Sequence, residues 1–122
     1  MTEALSISEA GVATGVSPHT LRYDERAGLM LDSVGRAESR HRRYTAAEVG
    51  WVLFLTKLRS TGMPIRRMRD YADLVRAGSG NEGGRLALLE AHRDTVRAQL
   101  DEVARNLRAI DAKITRYKEG NA

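Results

Sequence analysis

Apolar residues return every three or four positions through most of the chain, and the interruptions divide it into helices. The first is predicted to begin at Ser8, with Ile7, Ala10, Val12 and Ala13 as its apolar side. Ser6 followed three residues later by Glu9 is an alternative capping box that would start it slightly earlier. Gly15-Val16-Ser17 then reads as a tight turn. Ser17-Pro18 supplies a hydroxyl N-cap and a proline whose missing N–H costs nothing at that position. The second helix should run to Ala27 and stop at Gly28 in a left-handed cap, burying Leu21, Ala27 and Leu29 with Val16 packing at its entry.

Between Leu31 and Tyr44 neither the helical nor the strand period holds. Gly35 offers a turn there, and a short hairpin or loop of wing type is expected. Thr45-Ala46-Ala47-Glu48 is a second capping box. It opens a helix carrying Val49, Val52, Leu53, Leu55 and Leu58, widened by Trp51 and Phe54 and ended by Gly62. Pro64 restarts a fourth helix through Ala77, with Ile65, Met68, Tyr71, Ala72 and Val75 at helical spacing. The glycine-rich run Gly78 to Gly84 is the natural boundary. The expected layout is a mainly α fold: a head at residues 1–77, a linker at 78–84 and one long helix at 85–118.

That helix carries a heptad seam. Leu86, Leu89, Val96, Leu100, Val103, Leu107, Ile110, Ile114 and Tyr117 alternate in steps of three and four, and Arg93 is the break in register. A helix of this length extends ~50 Å at 1.5 Å per residue, too far for so small a head to cover. It needs a partner, and the simplest is a second copy. A homodimer is expected, with Leu89, Val96, Leu100, Val103, Leu107, Ile110 and Ile114 as its dimerisation residues.

Composition narrows the classes of function. A chain of 122 residues is one domain, or a small domain with a helical appendage, and its formal net charge of +4 favours phosphate-bearing partners without establishing them. The absence of cysteine excludes disulfides, cysteine-based zinc sites and thiol sensing. His19, His41 and His92 are scattered without ligand spacing, so neither a metal nor a cofactor is expected. The N-terminus lacks a basic start followed by an apolar run, and no apolar stretch approaches ~18 residues. A soluble cytoplasmic protein with no membrane partner is expected. Enzymatic function is set aside: there is no nucleophile-and-base pair and no glycine-rich phosphate loop after a strand. Glu90, Asp101 and Asp111 lie off the seam and read as solvated.

The first two helices have the form of a helix-turn-helix, whose second helix enters the major groove of double-stranded DNA with its first turn facing base edges. That turn offers Ser17, His19 and Thr20, followed by Arg22 and Tyr23. Short polar groups at the tip with longer donors behind suit base reading combined with phosphate anchoring. The same pattern occurs in any small helical bundle, so other features must decide. Arg36, Arg40, Arg42 and Arg43, with His41 among them, form a cationic arm that would release counterions on a duplex. Tyr44, just before the capping box, could pin that arm to the head. Arg59, Arg66, Arg67 and Arg69 add positive charge around Gly62, Arg69 reading best as a solvated residue.

The order Leu21-Arg22-Tyr23, Glu25-Arg26-Ala27-Gly28-Leu29, His41-Arg42-Arg43-Tyr44 and Leu58-Arg59-Ser60-Thr61-Gly62-Met63-Pro64-Ile65 resembles the MerR family of bacterial transcription regulators. The resemblance covers nearly the whole chain. It implies a winged helix-turn-helix head on an antiparallel coiled-coil dimer. It also implies a site between promoter elements, where the regulator bends and untwists an overlong spacer for RNA polymerase. By the same resemblance Arg22 and Tyr23 would touch backbone or base edges, Arg42 and Tyr44 would serve the wing, and Arg59 would reach a phosphate. Where the family usually has a second tyrosine this chain has Asp24, which removes a phosphate donor and adds negative charge near DNA. Either Asp24 points away, or affinity is lower than in a typical member.

Metal- and redox-sensing branches of the family bind through cysteines, which this chain lacks. The drug-sensing branches append a separate ligand domain, and none is expected after Ala122. What is left for a small apolar effector is a pocket that Trp51, Phe54, Met68 and Tyr71 could line, although stripes at this spacing are usually plain core. Two other readings stay open: an architectural or recombination accessory protein with the same head, and a coiled-coil adaptor whose basic head meets an acidic partner.

Overall fold

Local capping chemistry decides where the helices begin. A computed structural model of the chain describes residues 4–31 and 44–121. Among them the elements are α1 (Ile7–Thr14), α2 (Pro18–Arg26), α3 (Ala46–Ser60), α4 (Ile65–Arg76) and α5 (Glu82–Lys118). The Ser6–Glu9 capping box is the one that forms: the Ser6 N–H donates to Glu9 Oε1 at 2.8 Å, and the Glu9 N–H to Ser6 Oγ at 3.2 Å. Helix α1 therefore starts at Ile7 rather than Ser8. Thr45 and Glu48 do the same for α3, at 2.8 and 3.2 Å. Helices α2 and α3 end alike. In α2 the Gly28 N–H reaches Glu25 O at 3.2 Å and the Leu29 N–H reaches Asp24 O at 2.9 Å. In α3 the corresponding bonds run from Gly62 to Arg59 O and from Met63 to Leu58 O. Both glycines sit at positive φ, as this cap requires.

The turn between α1 and α2 is tied by Thr14, whose hydroxyl donates to Ala10 O at 2.8 Å and accepts from the Val16 N–H at 3.2 Å. Gly11 makes the tight return possible. A Cβ there would lie 3.0 Å from Val16 O and 3.5 Å from Pro18 Cδ. Neither Thr14 nor Gly11 stands out in the sequence, because both act through contacts rather than through pattern.

Helix α1 packs on α2 and α3, and α3 on α4. The head closes over Leu21, Leu29, Tyr44, Val52, Leu55 and Met68, all fully buried. Some expected core positions are displaced. Val12 is 87% exposed. The buried line of α1 runs through Ala10 and Thr14, and Val12 lies between them on the opposite side, roughly 200° round the helix from Ala10. Leu53 is exposed for the same reason, lying off the line through Val52, Leu55 and Leu58, whereas Ile65 shares the side of Met68 and Ala72 but is the first residue of α4, where the helix end leaves it exposed. The expected wing lies outside the described residues. Its far end is visible as an antiparallel bridge between Tyr44 and Leu5, with N–H to O distances of 2.7 and 2.8 Å.

By contacts the chain divides into units Met1–Leu86 and Ala87–Ala122. Helix α5 begins at Glu82, so Gly83 and Gly84 lie in its first turn rather than in a linker. The Asn81 amide donates to Leu74 O at 2.7 Å, and the Glu82 carboxylate accepts the Gly80 N–H at 3.0 Å. Hydrogen bonds from its own and the Gly80 backbone N–H hold the Glu82 carboxyl below the usual range. Along α5, Leu100, Val103, Leu107, Ile110, Ile114 and Tyr117 are each between 45% and 65% exposed. Leu88, one residue off the seam, is the buried side chain of this helix. Among the described residues, no helix is long and apolar enough to cross a membrane.

Candidate nucleic-acid interface

Helix α2 has two faces of opposite chemistry. Ser17 caps it, accepting the Thr20 N–H at 3.1 Å, while the Ser17 hydroxyl donates to Thr20 Oγ1 at 3.1 Å. Such a cap contributes about 1 kcal/mol and occupies both hydroxyls of the tip. His19, Arg22, Tyr23 and Arg26 are exposed. They are spaced by three, one and three residues, which puts them on one side of the helix. Leu21 and Asp24 occupy the other side and are fully buried. An imidazole, two guanidiniums and a phenol make a strip of hydrogen-bond donors, matched to phosphate oxygens and to the acceptor-rich edge of guanine. Arg26 is absent from the expected site residues, although its distance of seven residues from His19 is the signal that would have found it.

Asp24 points into the head. Its Oδ1 is 2.7 Å from Nη2 of Arg59 on α3. Burial pushes its carboxyl above the usual range, and the charge and hydrogen bond of Arg59 oppose that rise. Of the two alternatives for Asp24, the structure supports the one in which it faces away from the donor strip. Arg59 is therefore engaged with α2, and about a third of its side chain stays exposed.

The segment that follows α2 is gripped by its main chain. Nε of Arg69 donates to Ala27 O at 2.8 Å. Nη1 of Arg76 donates to Gly28 O at 2.9 Å and to Met30 O at 2.5 Å, and the same guanidinium pairs with Asp73. The Trp51 indole N–H donates to Leu29 O at 2.7 Å. Cations placed on the carbonyls at a helix C-terminus satisfy groups the helix leaves unpaired and complement its dipole. Arg69 is exposed, as expected of a solvated residue, and has this specific partner as well.

Of the other expected site residues, Arg36, Arg40, Arg42 and Arg43 lie outside the described residues. Tyr44 is fully buried beside its bridge to Leu5. Arg66 is exposed, and Arg67 pairs with Asp70 at 3.3 Å. Of the residues expected to line an effector pocket, Trp51 and Met68 are buried, and Phe54 and Tyr71 are half-buried. Trp51 stacks on Tyr71 with ring centroids 5.6 Å apart, Phe54 meets Tyr71 at 5.9 Å, and Met68 is fully buried.

The family model described as MerR HTH family regulatory protein matches residues 5–74. The chain belongs to the MerR family. It is 31% identical over 115 residues to an HTH-type transcriptional regulator of Haemophilus influenzae, spanning 94% of this chain and 84% of that protein. A MerR family regulator lacking the sensor domain, HiNmlR, has a crystal structure bound to promoter DNA. The present fold matches it with a TM-score of 0.83 and 31% identity, over 98% of this chain and 92% of that one. A structure from Listeria monocytogenes described as a MerR family transcriptional regulator matches with a TM-score of 0.88 and 35% identity, over 93% and 86%.

This MerR protein is a DNA-binding transcription regulator with an N-terminal helix-turn-helix and a long C-terminal helix. The family match spans α1 to α4, the helices that position the donor strip. Within that frame the arginines fall into two groups. Arg22 and Arg26 are exposed on α2, whereas Arg59, Arg69 and Arg76 are bonded to its inner side and its C-terminal end.

Proposed function

We propose that this regulator acts as a homodimer that sets α2 of each protomer into a major groove of promoter DNA. The dimer distorts the spacer between promoter elements so that RNA polymerase engages both. The observation that carries the reading is the donor strip of His19, Arg22, Tyr23 and Arg26, exposed on one side of a helix whose other side is locked into the head. The half-exposed seam of α5 supports the dimer, since apolar residues at heptad spacing meet a like surface most readily in a second copy. Ser17 and Thr20 stand at the tip, and the charge of Arg36, Arg40, Arg42 and Arg43 suits them to phosphate contacts. HiNmlR, of similar fold, is bound to promoter DNA in its own structure.

The test joins footprinting to transcription in vitro. Duplexes selected from a random pool by the protein define its operator, and the protected site is mapped in promoters that carry it. Protection between the promoter elements, with transcription that depends on the protein and loses that dependence when the spacer is shortened, is the expected result. Protection elsewhere with no effect on transcription would replace this reading with an architectural one. No salt-sensitive, sequence-selective binding at all would sink it.

A further inference from the structure

We infer that Asp24 and Arg59 form a positioning pair that fixes the rotation of the recognition helix about its own axis. Arg59 thus acts on DNA reading through α2 and not through a phosphate. The inference rests on the placement of α2 in the groove proposed above. Several other ion pairs of the molecule, such as Arg67–Asp70 and Arg105–Glu102, join residues one turn apart on a single helix. Asp24–Arg59 joins α2 to α3 across 35 positions of sequence.

Stability does not account for this pair. Asp24 is fully buried, and among the described residues its Oδ2 has no hydrogen-bond partner, so the carboxylate is only half satisfied. An apolar side chain of similar size would suit such a place as well or better. What the ion pair adds is direction. A contact of 2.7 Å between a guanidinium N–H and a carboxylate oxygen holds only over a narrow range of distance and angle, whereas apolar contacts tolerate sliding.

Asp24 is also well placed to orient the helix. It sits next to Tyr23 and two residues from Arg22 and Arg26, on the side of α2 opposite the strip they form. A rotation of about 20° would carry a side-chain tip at the ~6 Å outer radius through about 2 Å. That displacement exceeds the tolerance of a hydrogen bond to a base edge. The bonds from Arg69, Arg76 and Trp51 hold residues 27–30, beyond the last turn. Asp24 is the buried polar side chain within the helix itself.

The experiment measures two quantities for each variant across a salt series: the affinity for the duplex selected by the wild type, and that for a scrambled duplex. Asp24→Ala should keep the affinity for scrambled DNA and the salt slope, and lose about tenfold or more in selectivity, the scale of one misread base pair. Asp24→Asn keeps an oxygen for Arg59 and should restore most of that selectivity. Arg59→Ala should mimic Asp24→Ala with an unchanged salt slope. A slope lower by about one charge would instead make Arg59 a phosphate contact and overturn the inference. Equal tightening on both duplexes in Asp24→Ala and Asp24→Asn would overturn it too, since Asp24 would then act only as a repelling charge. Wild-type selectivity in Asp24→Ala would also end it. Should Asp24→Ala fail to fold in a thermal melt, Arg59→Lys and Asp24→Asn carry the comparison. A selectivity loss in Arg59→Lys without a change of slope supports positioning, and wild-type selectivity refutes it. A wild type that enriches no sequence refutes the DNA-reading proposal itself, a result separate from all of these.

Discussion

The head and the long helix treat their apolar side chains in opposite ways. Residues such as Leu21, Leu55 and Met68 are sealed within one chain, while Leu100, Leu107 and Ile114 keep about half or more of their surface in water. Both sets follow helical periodicity, so the sequence pattern alone does not distinguish them. The difference is what each stripe meets. Helices α1 to α4 fold back on one another and finish a core. A seam of heptads along α5 is finished only by another helix of the same kind. The head thus buries its own apolar surface, whereas the seam of α5 is left open in the single chain, as the proposed dimer requires.

The sharpest way to break that comparison is a charge in the middle of the seam. Leu107 is 55% exposed, so Leu107→Glu should leave the head folded and the helical content of a single chain nearly unchanged. Dimerisation should fail, and with it the linkage of two heads on one operator, for a loss of about 10²- to 10⁴-fold in affinity. Sedimentation and operator binding check this together. A variant that still sediments as a dimer would remove α5 from the interface.

The counterpart in the head is Leu55, fully buried on α3. Leu55→Ala should cost about 2–5 kcal/mol of unfolding free energy through lost contacts and a residual cavity. That loss should be independent of protein concentration, which denaturant melts at several concentrations would reveal. A strongly concentration-dependent loss would mean that the head, like α5, is completed by a partner. Smaller again is Trp51→Phe, which keeps the stacked ring and removes the N–H that serves Leu29 O. Leaving that carbonyl unpaired should cost about 1–3 kcal/mol, and hydrogen exchange should report it as loosening at residues 27–30 before the rest of the head. A uniform loss would show that the grip is not local.

The same contrast explains what is legible in the sequence. Caps are legible because they are made within a few residues of chain: Ser6 with Glu9, Ser17 with Thr20, Thr45 with Glu48. The heptad seam is legible because it repeats. Burial is less so. Val12 and Leu53 are apolar at plausible spacing yet exposed, since short helices offer several lines and only packing chooses among them. Tyr44 stands at the expected junction, but its burial and its bridge to Leu5 are not legible, because the bridge joins distant parts of the chain. The ties from Arg59, Arg69 and Arg76 to α2 and its end run 35 to 48 positions, and no local spacing announces them. For Asp24, identity marks the departure from the family pattern, but its direction comes only from the fold.

Asp24 also gives the smallest of these tests, since the Arg59 cation offsets part of the burial cost. Its carboxyl is held above the usual range in the folded head, chiefly by burial, and returns to its ordinary value when the chain unfolds. Between those two values the folded protein keeps a proton that the unfolded chain gives up. The contribution of Asp24 to stability is therefore fully present below the ordinary carboxyl range and is lost as pH rises through the folded-state value. Asp24→Asn cannot titrate. The difference in melting temperature, variant minus wild type, should climb as pH rises through that window and then level off. A difference that stays flat, or that falls with rising pH, would mean that the ion pair stabilises the charged carboxylate at least as much as burial opposes it. The head would then hold Asp24 as an anion at no net cost, and the contrast between a sealed core and an open seam would no longer extend to its polar members.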